Sequence, residues 1–196
     1  MLTKKQQFIK RGIDILFSLI LLPFFLLPIL LLLFVSTFVH YPYGGWFTQN
    51  RIGRHGHGFQ LYKIRTLKGE NHNDIIQIKA AETPFGNWLR KTKLDELPQL
   101  FNVLKGDMSF VGPRPDIPGY ADKLQGEDRI ILSVRPGITG PATLKYKNED
   151  VLLLAQENPL HYNDTVIWPD KVAINKAYVH NWSFVKDFQY LFQSIF

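Results

Sequence analysis

Ile15-Leu16-Phe17-Ser18-Leu19-Ile20-Leu21-Leu22-Pro23-Phe24-Phe25-Leu26-Leu27-Pro28-Ile29-Leu30-Leu31-Leu32-Leu33-Phe34-Val35-Ser36-Thr37-Phe38-Val39 carries no charge from end to end. About 20 apolar residues suffice to cross the hydrocarbon core of a bilayer, so this run is long enough to enter one. It is too long for the apolar part of a cleaved signal peptide, and no small-residue cleavage site follows it. Lys4, Lys5, Lys10 and Arg11 precede the run; Arg51, Arg54, Lys63, Arg65 and Lys68 follow it before the next acid, Glu70. Orientation by positive charge needs an asymmetry between the flanks, and here both are basic. A helix that enters, bends near Pro23 and leaves by the same face places both flanks on the cytoplasmic side. This re-entrant form is therefore preferred over a single span, because proline removes a backbone donor and permits the bend. His40-Tyr41-Pro42-Tyr43-Gly44-Gly45-Trp46 then supplies aromatic residues suited to the headgroup level, followed by a turn.

The rest of the chain is that of a soluble domain. Of 196 residues, 45% are hydrophobic and 20% charged, which excludes a disordered or fibrous chain. Cysteine is absent, so disulfides, thiolate zinc sites and cysteine nucleophiles are excluded. The net charge of +6 favours anionic partners: phosphorylated small molecules, acidic lipid or nucleic acid. Nucleic acid fits least well, because no docking motif or basic aromatic platform accompanies the apolar anchor.

Working outward, residues 46–67 alternate as two extended stretches around the turn Gly53-Arg54-His55-Gly56-His57-Gly58. His55 and His57 lack an acidic or histidine partner nearby and read as a solvated loop rather than a metal site. Residues 83–106 predict two helical pieces broken near Lys93-Leu94-Asp95-Glu96-Leu97-Pro98. Gly112-Pro113-Arg114-Pro115 and Val134-Arg135-Pro136-Gly137-Ile138-Thr139-Gly140 are held extended by their prolines, with a helix expected between them over 118–133. Further helices are expected near 148–157, 169–180 and 183–195. The last gathers Phe184, Phe188, Leu191, Phe192 and Ile195 in a stripe that suits a core or a bilayer surface. The expected class is α+β and mainly helical: a re-entrant helix-break-helix hairpin in 1–45, then a domain over 46–196 with a small β-hairpin and amphipathic interfacial helices.

Chemistry concentrates at Asp95-Glu96. Acids at a helix start commonly serve as caps, and the six residues from Lys93 to Pro98 alone favour that role. The same position presents free amides that receive phosphate, which a carboxylate would repel unless a hard divalent cation joins the two. Lys63, Arg65, Arg90, Lys91, Arg114 and Arg135 lie near turns or element ends. Singly, each is a surface charge or a lipid-phosphate contact. Arg114 and Arg135, stiffened by adjacent prolines, suit bidentate grip on phosphate oxygens.

The stretch from Thr83 through Asp95, Glu96 and Pro98 to Gly112-Pro113-Arg114-Pro115 closely resembles the signature of bacterial sugar transferases. These are the monotopic phosphoglycosyl transferases, or polyprenyl-phosphate sugar phosphotransferases. Lys10-Arg11 with Asp14, Tyr62-Lys63-Ile64-Arg65-Thr66 and Arg135-Pro136-Gly137-Ile138-Thr139-Gly140 also match, and Trp182-Ser183-Phe184 with Asp187 matches weakly. The resemblance implies transfer of a sugar 1-phosphate from a UDP-sugar to polyprenyl phosphate at the cytoplasmic face of the bacterial inner membrane. It implies Asp95 as nucleophile, Glu96 as a holder of Mg2+ together with Asp95, and Lys63, Arg65, Arg90, Arg114 and Arg135 as phosphate or substrate contacts. It also implies a membrane-helix break at Pro23, although Leu22 stands where the family often has Ser. Residues 141–149 depart from the common pattern, so the donor sugar does not carry over. The chain resembles the minimal catalytic form of the family, and a monomer and a homodimer fit it equally. The competing expectation is a catalytically silent protein that binds anionic lipid through its basic patches.

Overall fold

The structure is a computed structural model that describes residues 2–70, 72 and 75–195. Helix α1 spans Lys4–Val39. A reciprocal capping box starts it: the Thr3 hydroxyl accepts from the Gln6 amide at 3.2 Å, and the Gln6 side chain accepts from the Thr3 amide at 2.8 Å. The expected helix-break-helix does not take the form of a gap, because α1 continues through Pro23 and Pro28. Each proline removes one hydrogen bond, and the Leu-rich turns on either side carry the helix past it.

The polarity of α1 is inverted relative to a helix of a water-soluble domain. Its buried residues include Asp14, Ser18 and Ser36, whereas Leu16, Phe24, Leu27, Leu30, Phe34 and Phe38 are exposed. Polar groups inward and apolar groups outward suit a lipid surrounding. Near the N-terminus, Arg11 donates to the carbonyls of Val103 and Leu104, and Asp14 Oδ1 accepts from the Ser109 hydroxyl at 3.0 Å and the Phe110 amide at 3.2 Å. Near the other end, the Ser36 hydroxyl donates to the Arg65 carbonyl at 2.8 Å. Both ends are thus tied to the same body. In the segment that follows, Tyr41, Tyr43 and Trp46 are exposed as expected for a headgroup belt, but His40 is fully buried.

Strands β1 (Trp46–Ile52) and β2 (Gly58–Ile64) form the expected antiparallel hairpin, in register from Trp46 opposite Ile64 to Ile52 opposite Gly58. After α2 (Ile75–Ala81), Thr83 caps α3 (Pro84–Thr92) by accepting the Gly86 amide at 2.9 Å. A 3-10 turn over Leu94–Glu96 separates α3 from α4 (Gln99–Lys105), which ends at Gly106 with φ 102°. The two helical pieces and their break fall where the spacing predicts them.

Strands β3 (Ser109–Val111) and β4 (Gly137–Thr139) pair in parallel. A Cβ on Gly137 would lie 2.1 Å from the Gly112 nitrogen, so only glycine lets these two backbones approach. The helix expected over 118–133 is replaced by 3-10 turns at Ala121–Lys123 and Gly126–Ser133. Gly119 and Gly126 adopt φ of 109° and 57°, conformations that end a right-handed helix before it can propagate.

The C-terminal part comprises α5 (Pro141–Lys145), α6 (Glu149–Leu154), α7 (Pro159–Tyr162), a π-helical turn over Asn163–Ile167, α8 (Trp168–His180) and α9 (Phe184–Ile195). Leu191 of α9 packs against the core, while Val185, Phe188 and Phe192 are exposed; the Ile195 side chain lies outside the described residues. The stripe therefore serves the core and an outer apolar surface together. Asp187 anchors α9 by accepting from Lys10, from the Tyr178 hydroxyl at 2.8 Å and from the Trp182 indole at 3.0 Å. The core gathers Leu61, Leu100, Val103, Met108, Val111 and Val179, with Phe17, Leu22 and Phe25 of α1 packed against it.

Candidate active site

The chain turns sharply at Lys93, whose φ of 59° is left-handed, and so directs the next residues back across the hairpin. Asp95 and Glu96 follow on the 3-10 turn, with 7% and 9% of their side chains exposed. Lys63, near the end of β2, places Nζ 3.1 Å from Glu96 Oε1 and 3.9 Å from Asp95 Oδ2. Arg114 reaches the same Oε1 at 2.7 Å from the extended segment after β3. Glu96 is thus clamped between two cations. Asp95 Oδ1 is buried with no hydrogen-bond partner.

This asymmetry separates the two carboxyls. Burial pushes Asp95 up, and the neighbouring Glu96 charge adds to that against the pull of Lys63. Burial also disfavours the Glu96 carboxylate, but Arg114 and Lys63 outweigh it and hold Glu96 well below the ordinary carboxylate range. Adjacent carboxyls pushed apart in this way are a recurring sign of divided chemical roles.

Two further charged residues complete the surroundings. Arg51 donates to the Gln49 side chain at 2.6 Å and to the Pro115 carbonyl at 3.1 Å; burial and Arg114 lower its guanidinium to about 10. Burial raises Asp116 to about 6 against Lys171, Arg51 and Arg114. The sequence placed Arg51 only among flanking cations and passed over Asp116. Their signals were position: Arg51 lies on the strand paired with that of Lys63, and Asp116 directly follows Pro115.

The other expected contacts have their direct partners away from the dyad, although the Arg90 charge still pulls Asp95 down. Arg90 pairs with Asp150 at 2.6 Å and Glu82 at 3.5 Å. Arg65 donates to the Gly44 carbonyl at 3.0 Å and lies over the rings of Tyr43 and Phe47 at 5.7 and 5.4 Å. Arg135 donates to the Gly106 carbonyl at 2.8 Å, at the far end of α4 from the dyad. Pro23 lies within α1, and His55 and His57 are exposed in the hairpin turn.

The side chains that would hold a hard cation here are the adjacent Asp95 and Glu96 carboxyls, with Glu96 Oε1 already bonded to Lys63 and Arg114. Among the described residues no group of three or more metal-ligating side chains exists. Two adjacent carboxylates are the hard-oxygen donors that Mg2+ takes, and that ion usually completes its shell with phosphate oxygens and water.

The model of a family described as bacterial sugar transferase matches residues 5–196. An uncharacterised sugar transferase of Bacillus subtilis is 36% identical over 74% of this chain and 65% of its own length. A UDP-N-acetylgalactosamine-undecaprenyl-phosphate N-acetylgalactosaminephosphotransferase of Aeromonas hydrophila is 33% identical over 87% of this chain and 43% of its own. A UDP-glucose:undecaprenyl-phosphate glucose-1-phosphate transferase of Caulobacter vibrioides is 32% identical over 95% and 68%. The chain thus spans less than two thirds of the first two relatives. With the match covering the membrane helix, the dyad and the C-terminal helices together, the chain belongs to the bacterial sugar transferase family.

Proposed function

We propose that this protein transfers a sugar 1-phosphate from a UDP-sugar to polyprenyl phosphate, of which undecaprenyl phosphate is the bacterial form named for its relatives. UMP leaves, and the lipid-linked diphosphosugar initiates assembly of a glycoconjugate. The observation that carries this reading is the divided dyad: one carboxylate clamped by Lys63 and Arg114, the other buried with a free oxygen.

In the first displacement, Asp95 Oδ1 attacks the phosphorus that bears the sugar. The bond from that phosphorus to the UMP oxygen breaks, leaving an aspartyl phosphosugar. In the second, a polyprenyl phosphate oxygen attacks the same phosphorus and releases the Asp95 carboxylate. Splitting one transfer into two displacements is the general advantage of covalent catalysis. Arg114 and Lys63 fix Glu96 and supply positive charge beside the pyrophosphate, where phosphoryl transfer gains most from neutralisation. Mg2+ held by Glu96 and Asp95 would neutralise further charge on the pyrophosphate.

Catalysis at the cytoplasmic face of the inner membrane is favoured by α1, whose outer surface is apolar and whose two ends are tied to one body. That anchoring supports re-entry by 1–45 beneath a catalytic domain over 46–196. A panel of UDP-sugars, assayed with undecaprenyl phosphate and Mg2+ in detergent, tests the reading by release of UMP. At least one donor is expected to turn over, and Asp95→Asn to abolish it. No turnover with any donor would instead favour a silent protein bound to anionic lipid.

A further inference from the structure

The buried junction of α1, β2 and α3 holds a series of hydrogen bonds in which each group serves the next. His40, which caps the C-terminal end of α1, is fully buried. Its Nδ1 lies 3.0 Å from both the Ser36 carbonyl and the Ser36 hydroxyl oxygen. A carbonyl only accepts, so Nδ1 carries the proton and Nε2 is left as acceptor. Nε2 lies 3.1 Å from the Thr83 hydroxyl, whose other acceptor, the Thr66 carbonyl, is farther at 3.5 Å, so the hydroxyl donates to the imidazole. The Ser36 hydroxyl in turn donates to the Arg65 carbonyl at 2.8 Å, and the Thr83 oxygen accepts the Gly86 amide at 2.9 Å.

The two ends of this series lead to the dyad. Arg65 is two residues beyond Lys63, and the 3-10 turn that carries Asp95 and Glu96 follows α3 directly after Lys93. Lys63 and Glu96 close the loop at 3.1 Å. The membrane helix therefore joins the strand carrying the cation to the helix that leads into the carboxylate-bearing turn, and His40 is the joint. Neutral imidazole suits it: burial lowers its affinity for a second proton and, with Arg65 and Lys68, outweighs the Ser36 and Thr66 carbonyls that favour the charge.

We propose that His40 is a positioning residue that sets the placement of Lys63 against Asp95 and Glu96 through Ser36 and Thr83, making the nucleophile's geometry depend on the seating of the membrane helix. The proposal rests on the function put forward above, and the experiment separates the two. Wild-type turnover with a UDP-sugar is measured first; its absence contradicts the function, and only with turnover in hand do the variants address His40.

His40→Asn reaches only the Ser36 side, whereas His40→Gln places an amide oxygen where Nε2 accepts from Thr83. Ile29→Ala removes bulk from another buried site of α1, outside the series. At a temperature where all remain folded, His40→Asn is expected to lower kcat about tenfold or more with KM for the UDP-sugar unchanged, as small misplacements of reacting groups do. His40→Gln should recover to within about threefold of wild type, and Ile29→Ala should melt lower yet keep kcat within about twofold. Retained kcat in His40→Asn, failure of the Gln variant to recover, a change confined to KM, or an equal loss in Ile29→Ala would each overturn the proposal. If His40→Asn does not fold, Thr83→Ser and Thr83→Ala read the same link. The hydroxyl-bearing variant should keep turnover and the other lose about tenfold at constant KM, and equal kcat in the two would overturn it.

Discussion

Asp95 and Glu96 are neighbours on one turn and nearly equally buried, so what separates them is the company each keeps. Replacing each by its neutral amide should therefore move stability in opposite directions. The folded-state pKa of Asp95 lies above its unfolded value near 3.9, so the charged form is disfavoured in the fold above that folded pKa. Asp95→Asn should melt higher than wild type at pH 7, and the gap should close as pH falls below about 3.9, where folded and unfolded carboxyls are both protonated. Glu96 has the reverse sign, because its stabilisation is present above its unfolded pKa and is lost as pH falls. Glu96→Gln leaves Lys63 and Arg114 facing a neutral group and should cost about 3 kcal/mol, read by chemical denaturation at pH 7. The same raised Asp95 pKa governs rate, since only the carboxylate attacks. The acid limb of kcat against pH should lie above the ordinary aspartate range, and Lys63→Gln, which removes the main charge pulling Asp95 down, should move it to higher pH. The pairing of two acids was legible in the sequence. Which one is clamped was not, because Arg114 and Lys63 come from 18 and 33 positions away.

At the scale of elements, α3 meets the exit of β2 with no space between them. A Cβ on Gly86 would lie 1.9 Å from the Thr66 carbonyl oxygen, and backbone cannot move aside as a side-chain tip can. Gly86→Ala should destabilise the fold by about 1–3 kcal/mol in a denaturant titration and slow turnover, since α3 leads into the turn that carries the dyad and β2 carries Lys63. The hairpin, the paired helices around the dyad and α9 followed from periodicity and turn residues. The 118–133 segment did not, because Gly119 and Gly126 override the local helical pattern. The pairing of β3 with β4 rests on contacts far apart in the chain and left no local mark beyond its glycines. His40 was hidden by the aromatic belt beside it. The signal was the spacing of four between Ser36 and His40, repeated by Asp14 and Ser18, which places polar residues at the same helical interval within or beside an apolar run.

For the whole molecule, an apolar α1 surface and outward Val185, Phe188 and Phe192 of α9 require a surrounding other than water. The absence of cysteine allows single labels to report topology. Cysteines introduced separately at Lys5 and Lys145 should both react with an impermeant thiol reagent in inside-out vesicles and not in intact cells; reaction of Lys5→Cys in intact cells would contradict re-entry. The long apolar helix and the adjacent pair of acids were legible as sequence, whereas the pairing of Arg90 with Asp150 and of Arg135 with the Gly106 carbonyl emerges only from the fold. The most direct test of the central claim is intact-mass analysis of the wild-type protein incubated with an accepted UDP-sugar in the absence of polyprenyl phosphate. A mass gain of one phosphosugar, located on the peptide containing Asp95 and missing in Asp95→Asn, is the predicted result. Full turnover on adding the lipid, with no such adduct trapped at Asp95, would contradict it.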